Sequence, residues 1–354
     1  MNPSIHIVAY EACTAVGLTA ASFAAAVRAG ISGVGDHPFM VDDTGDPLQS
    51  ALVPTIDPTL SGPERLAALA WGPVERLGQQ LSLLNEHDVM VLITLPEHRP
   101  GWTLEDEQVL VARLTEYCSS VIGSSTRLKL QVVARGHAGS LAAINQAVKA
   151  IRVLDCSAAI VLGVDSYFEA DTIDWLLEHQ QLITAETRSS FLPGEAAAIL
   201  VLMDGAVRRT LQLPSLAIIR GSSVGNERVL IKDDEEESFG LGMTEAVSQA
   251  AATLKLPEEA VTDIYLDING ERYRSQEWAF VALRAWHVFR DPTAYIAPAD
   301  LYGDVGAASG TLFVILAAQA WAQACALGPH AMLCAGSEAG LRGVVILAQG
   351  QGAS

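Results

Sequence analysis

The chain has 354 residues, half of them hydrophobic, enough apolar side chain to bury one large core or two ordinary ones. Its 41 acidic residues outnumber 22 basic ones, for a net charge of -19 and a pI near 4.7, and no Lys/Arg cluster breaks that balance. Nucleic acid and anionic lipid surfaces are thereby excluded as natural partners. Cys13, Cys118, Cys156, Cys325 and Cys334 form no C-x-x-C pair and are odd in number, so reduced thiols and a cytoplasmic location are expected, with no disulfide framework and no zinc site. The first residues lack the basic region and long apolar run of a signal peptide.

Residues 5–10 alternate apolar side chains with the period of a strand, and Cys13-Thr14-Ala15-Val16-Gly17-Leu18 leads into a helix over 20–29, with Thr19 as N-cap and Gly30 as its end. Residues 38–61 are rich in Pro, Asp and Thr and read as loop, with an edge strand near 51–54. A helix is expected over 64–84 despite Gly72-Pro73, then a strand over 88–94 and a helix over 104–119. The strand 128–133 runs into Arg135-Gly136-His137-Ala138-Gly139 and an Ala-rich helix to 154, followed by a strand over 158–164. Strands alternating with helices of this length predict a parallel sheet covered by helices, an α/β protein.

Phe191-Leu192-Pro193-Gly194-Glu195 turns into a continuously apolar strand to 202, as deep inside a sheet. Residues 204–210 are polar and basic and serve as the crossing between two halves, 1–207 and 208–354. The second half restarts with a strand over 215–220, and its Gly221-Ser222-Ser223-Val224-Gly225 echoes Thr14-Ala15-Val16-Gly17, a weak internal duplication. The run Asp233 to Glu237 reads as a solvated loop. Further elements are expected as a helix over 243–254, a strand over 263–268, a helix over 276–289, a strand over 293–296, an apolar helix over 311–327 and a last strand over 343–348. The apolar helix carries Gln319 and Gln323 and is short for a bilayer, so it is read as buried, with no membrane insertion.

A strand-turn-helix junction holds its turn residue at a helix N-terminus, where a nucleophile gains from unpaired amides and the helix dipole. His137 occupies that seat. Four stretches in order resemble β-ketoacyl synthases of the thiolase fold: the opening strand and turn, residues 39–69, Phe191-x-Pro193-Gly194-Glu195-Ala196-Ala197-Ala198, and Gly303-Asp304-Val305-Gly306-Ala307-Ala308-Ser309-Gly310. The resemblance implies an α/β thiolase-like fold of two similar βαβαβαββ halves in a five-layered α-β-α-β-α arrangement.

It also implies where the family's chemistry would lie. His137 falls where the acylated cysteine belongs, Asn269 replaces the first histidine, Asp304 the second, and Ala299 the supporting lysine. Claisen condensation needs a thiolate that stays acylated and donors aimed at a developing oxyanion. An acyl-imidazole on His137 hydrolyses readily, and an ionised Asp304 repels both the oxyanion and a malonyl carboxylate, so condensation is not expected. The reading is a ketosynthase relative without the Cys-His-His site, acting as a binding, adaptor or assembly factor and forming a homodimer, with no cofactor and no metal.

Two contexts fit such relatives: chain-length-factor-like subunits that pair with an active ketosynthase, and thiolase-like proteins associated with type VI secretion spike and effector components. The short length and the loss of every chemical position point to the second. The alternative is an acyl thioester hydrolase or acyltransferase in which His137 is the base, Asp304 its orienting acid, and water or Ser140 the nucleophile. Ser140 and Phe191 are the further pocket candidates, and packing is the expected role of both. Cys13, Cys118, Cys156, Cys325 and Cys334 are expected in the core, and His87, His98, His179 and His330 at the surface.

Overall fold

The computed structural model describes residues 4–42, 44–123, 127–187, 189–230, 236 and 238–350. Strand β1 (Ile5–Thr14) runs on through Cys13 and Thr14, past the expected end, and turns at Gly17 into α1 (Ala20–Arg28). Thr19 and Ser22 cap that helix reciprocally, each side chain taking the other's amide. The segment expected to be mostly loop instead forms a hairpin of β2 (Gly35–Val41) and β3 (Pro47–Ser50). The Asp42 carboxylate closes its turn by accepting the Thr44 and Asp46 amides at 2.9 and 3.0 Å, a local bond that hydrophobic periodicity does not register. Residue Ala51, expected on an edge strand, makes a single bridge to Gly194.

The single helix expected over 64–84 is two, α2 (Gly62–Arg76) and α3 (Gly78–Ser82). Pro73 lies inside α2, and the break comes at Leu77, whose backbone leaves the helical region. Next come β4 (Asp88–Leu95), α4 (Leu104–Ile122), β5 (Arg127–Arg135), α5 (Gly139–Arg152) and β6 (Ala158–Ser166), then α6 (Ala170–Glu178), which was not expected. β7 (Glu195–Asp204) is followed by α7 (Gly205–Thr210), a short helix where a polar crossing was expected, capped by Asp204. The anticipated boundary at 207/208 therefore falls within a helix.

β8 (Ala217–Asn226) extends past the expected end at 220 and through the glycine-containing stretch 221–225. α8 (Leu241–Ala251), β9 (Asp263–Leu266) and α9 (Arg272–Arg284) follow, and the acidic run lies outside the described residues except for Glu236. The expected strand over 293–296 reduces to one bridge, Ile296 to Tyr265, after which come α10 (Ala299–Tyr302) and α11 (Ser309–Ala322). Strand β10 (His330–Gly336), unanticipated, pairs antiparallel with β11 (Leu341–Gln349).

The strands form a mixed nine-stranded sheet in the order β5-β4-β6-β7-β1-β8-β11-β10-β9. This corrects the parallel expectation: between the strands of this sheet parallel pairing is confined to β5-β4-β6 and β9-β10. β1 and β8 join the two parts of the sheet through three residue pairs, Ile5–Ile219, His6–Ile218 and Ile7–Ala217. Helices α5 and α11 pack on each other and on strands from both parts, so the sheet closes around them; α2 and α4 cover one outer side, α8 and α9 the other. The result is the α-β-α-β-α layering of the thiolase-like fold.

Three apolar clusters fill the spaces between layers. The innermost gathers Phe23, Leu141, Ile144, Leu312 and Phe313; the outer ones gather Leu69, Leu110 and Ile160 on one side, Val247, Val281 and Ile346 on the other. At the start of β7 the Glu195 carboxylate, fully buried, takes Arg65 Nε at 2.6 Å and Nη2 at 2.8 Å, and also the Ser166 hydroxyl and the Val53 amide. Every lone-pair direction is satisfied, as a buried ion pair requires. The pair anchors the 191–195 turn to α2.

Candidate functional site

His137 sits two residues before α5, directly after Gly136, whose φ of +72° places it in the left-handed region and whose missing Cβ leaves room for the Glu97 side chain. Ser337, from the loop between β10 and β11, ties this turn down: its hydroxyl donates to the Arg135 carbonyl and accepts the Ala138 amide, both at 3.0 Å. Asp304 lies on the facing turn. That turn is held by two backbone bonds, the Asp304 amide donating to the Leu192 carbonyl and the Gly194 amide to the Asp304 carbonyl, and Gly306 (φ +43°) allows it to press on Asp165, which accepts the Ala307 amide.

The two turns meet. His137 Nε2 lies 2.7 and 2.8 Å from the Asp304 carboxylate oxygens, and both residues are buried. Asn269, just beyond β9, donates its side-chain N–H to Asp304 Oδ2 at 2.5 Å, and the Gly306 amide donates to Oδ1. His137, Asn269 and Asp304 thus converge, and Ala299 lines the small void beside them without a polar contribution.

Several partners in this cluster escaped sequence reasoning. Arg274, on α9 and buried, donates Nη1 to Asp267 at 2.7 Å and Nε to Glu271 at 3.2 Å, and its Nη2 lies 3.5 Å from His137 Nδ1. Tyr273 donates its hydroxyl to Glu271. Three carboxylates, from Asp267, Glu271 and Asp304, therefore face one guanidinium and one imidazole. The available signal was the alternation Asp267-Ile268-Asn269-Gly270-Glu271 with Arg274 three residues later, one turn into a helix.

Burial and the nearby Arg274 cation both push the His137 pKa down, but the Asp304 charge and hydrogen bond outweigh them and hold it above its ordinary 6.5. Burial alone raises the Asp304 carboxyl, yet His137, Arg274 and the Gly306 amide hold it far below the usual carboxylate range. The Asp304 carboxylate thus favours the imidazolium form of His137. In that state both ring nitrogens carry protons, and neither is an acceptor.

The remaining candidates are engaged elsewhere. The Ser140 hydroxyl donates to the Ala307 carbonyl at 2.6 Å and bonds the two turns together rather than facing His137. Phe191 is buried, with its ring 5.2 Å from that of Tyr167, and forms part of the wall of a cavity at His137. Arg99 closes another side, paired with Asp165 at 2.8 Å and lying over the Tyr167 ring. This cavity measures about 50 Å³ and its wall includes the carboxyl-bearing residues Glu97, Asp165 and Glu338. A broader depression of about 530 Å³ beside Arg135 shares Glu97, His98 and Glu338 with it. His330, expected at the surface, is buried on β10, because that strand was not foreseen; Cys325, expected in the core, is exposed beyond the end of α11.

No protein-family profile and no curated protein sequence matches the chain. Solved structures do. The ishigamide ketosynthase/chain length factor aligns with a TM-score of 0.80 at 16% identity, over 99% of this chain and 100% of that one. A chain from the complex of a type II PKS acyl-carrier protein with its ketosynthase bound to the hexaketide aligns at 0.79 and 13% identity, over 99% and 100%. The ketosynthase from module 6 of the bacillaene synthase of Bacillus subtilis 168 aligns at 0.77 and 14%, over 98% of this chain and 72% of that one. The fold is that of ketosynthases, the thiolase-like fold, shared across essentially the whole chain. At such identities the likeness defines the architecture, and function rests on the site.

Proposed function

We propose that this protein is a non-condensing member of the ketosynthase architecture that works by binding a protein partner. The observation that carries the reading is the closed ion cluster at the nucleophile's seat: His137 is buried and spent on Asp304, with the Arg274 guanidinium 3.4 Å from Nε2 and 3.5 Å from Nδ1. A condensing nucleophile needs a lone pair and space for an acyl chain. A cavity of about 50 Å³ holds a few waters, far less than a thioester arm, and its acidic wall disfavours a malonyl group.

The same geometry counts against the hydrolase reading. A general base must present an unprotonated nitrogen within hydrogen-bond reach of water. His137 offers none while it is an imidazolium, and the Ser140 hydroxyl is committed to Ala307. The full-length likeness to a ketosynthase/chain length factor favours a partner of ketosynthase type over a secretion component. Spike and effector genes beside this one would reverse that preference. The chain itself also pairs as a homodimer in this proposal, with halves divided near 207/208.

The test is incubation with a panel of acyl-CoA and acyl-carrier thioesters, with free thiol and covalent adducts followed for the native protein and for His137→Ala. The expected result is no thioester consumption above buffer and no acyl adduct on either protein. Turnover that disappears in His137→Ala overturns the proposal.

A further inference from the structure

Away from His137, a groove of about 270 Å³ opens between α1, α11 and β9. β9 ends the sheet, and the strand expected beside it is present only as the Tyr265–Ile296 bridge. The groove lies beside this edge, which residues 288–296 cover through backbone bonds at Val261, Ile264 and Leu266. Its apolar wall consists of Ala24, Val27, Ile296, Leu316 and Ala320.

Two polar groups on the wall lack partners. Tyr265 is 2% exposed and stacks on Phe313, yet its hydroxyl makes no hydrogen bond among the described residues. The hydroxyl is not fully enclosed: it keeps contact with the solvent of the groove, where it is free to donate to a ligand. Arg28, in the last turn of α1, is exposed and has no acidic partner among the described residues. The acid on the same wall, Asp263, is already engaged by the Leu327 and Gly328 amides and by the Thr262 hydroxyl.

We propose that this groove binds a small amphiphilic carboxylate, its oxygens taking the Tyr265 hydroxyl and the Arg28 guanidinium and its apolar chain lying along Val27, Leu316 and Ala320. An apolar trough with a hydroxyl donor on its wall and an unpaired guanidinium at its exposed end suits a carboxylate with a hydrocarbon tail rather than a sugar. The volume, just under the roughly 300 Å³ at which pockets for drug-sized ligands begin, suits a chain of medium length. The site is separate from the His137 cluster and does not depend on the reading of that cluster.

Cys325 provides the reporter, since it lines the groove and is the exposed one of the five cysteines. Sodium octanoate at millimolar concentration is expected to slow N-ethylmaleimide modification of Cys325, followed by mass spectrometry. Tyr265→Phe and Arg28→Gln are each expected to raise the octanoate concentration needed for half-protection about tenfold, the usual effect of losing one charge-assisted bond. Arg28 is exposed, so that variant keeps its unfolding midpoint and remains informative if Tyr265→Phe is destabilised. Absence of protection by octanoate overturns the proposal, and so does equal protection by octan-1-ol or an Arg28→Gln variant protected as well as the native protein.

Discussion

His137 and Asp304 exchange stability with pH in a defined direction. A histidine whose folded pKa is raised contributes fully below its unfolded value near 6.5 and loses that contribution as pH climbs through the folded value. A carboxyl whose folded pKa is depressed contributes above its unfolded value near 3.8 and loses it as pH falls through the folded one. The pair therefore stabilises most between those two limits. Asp304→Asn is expected to cost about 3 kcal/mol there, the scale for breaking a buried ion pair. The gap to the native protein should narrow as pH rises above the histidine's raised value, in urea unfolding across pH 5 to 10. An equal gap at pH 5.5 and pH 9.5 would show that Asp304 acts only through packing. That Asn269, His137 and Asp304 converge was legible because each falls in a stretch that resembles a ketosynthase motif. Arg274 was not, since a helical arginine beside a glutamate reads equally well as a surface pair until burial is known.

The elements that carry the site are short turns whose geometry rests on single glycines and on contacts from distant strands. Gly306 is the clearest case: at φ +43° a Cβ there would meet Asp165 Oδ2 at 2.0 Å. Gly306→Ala is expected to displace the turn bearing Asp304, cost about 2 kcal/mol, and loosen the Asp165–Arg99 pair. Thermal unfolding and protection of the 304–308 amides from hydrogen exchange measure both effects; unchanged protection would contradict the role given to this glycine. At this scale the sequence was most readable where a signal is local, as at Thr19, which caps α1 as expected. It was least readable where pairing is long-range. β10 follows a loop that disguises it, and 293–296, with the composition of a strand, finds a partner for one residue only.

For the whole molecule, β5 is the other edge of the sheet, with Leu128, Leu130 and Val132 half-buried along it. An uncovered edge of this kind is a template for pairing, and we propose that it is where two copies meet. Light scattering should return twice the chain mass of 37.5 kDa. With a charge of -19 on each copy, association should tighten as salt is added. A single-chain mass at every salt concentration would remove the homodimer. Among the described residues no helix is long and apolar enough to cross a membrane, and α11, the most apolar, is spent on the layer shared by both parts of the sheet.

The sequence by itself determined the α/β class, the order of most elements and the two turns that face each other, because hydrophobic period, glycine placement and helix caps act over a few residues. Only the tertiary structure decided that the sheet is mixed and continuous, that Arg274 completes the ion cluster at His137, and that the 265–296 edge leaves a groove. Those outcomes depend on which distant groups share a small volume from which water is excluded, where one unpaired charge or hydroxyl outweighs any local preference.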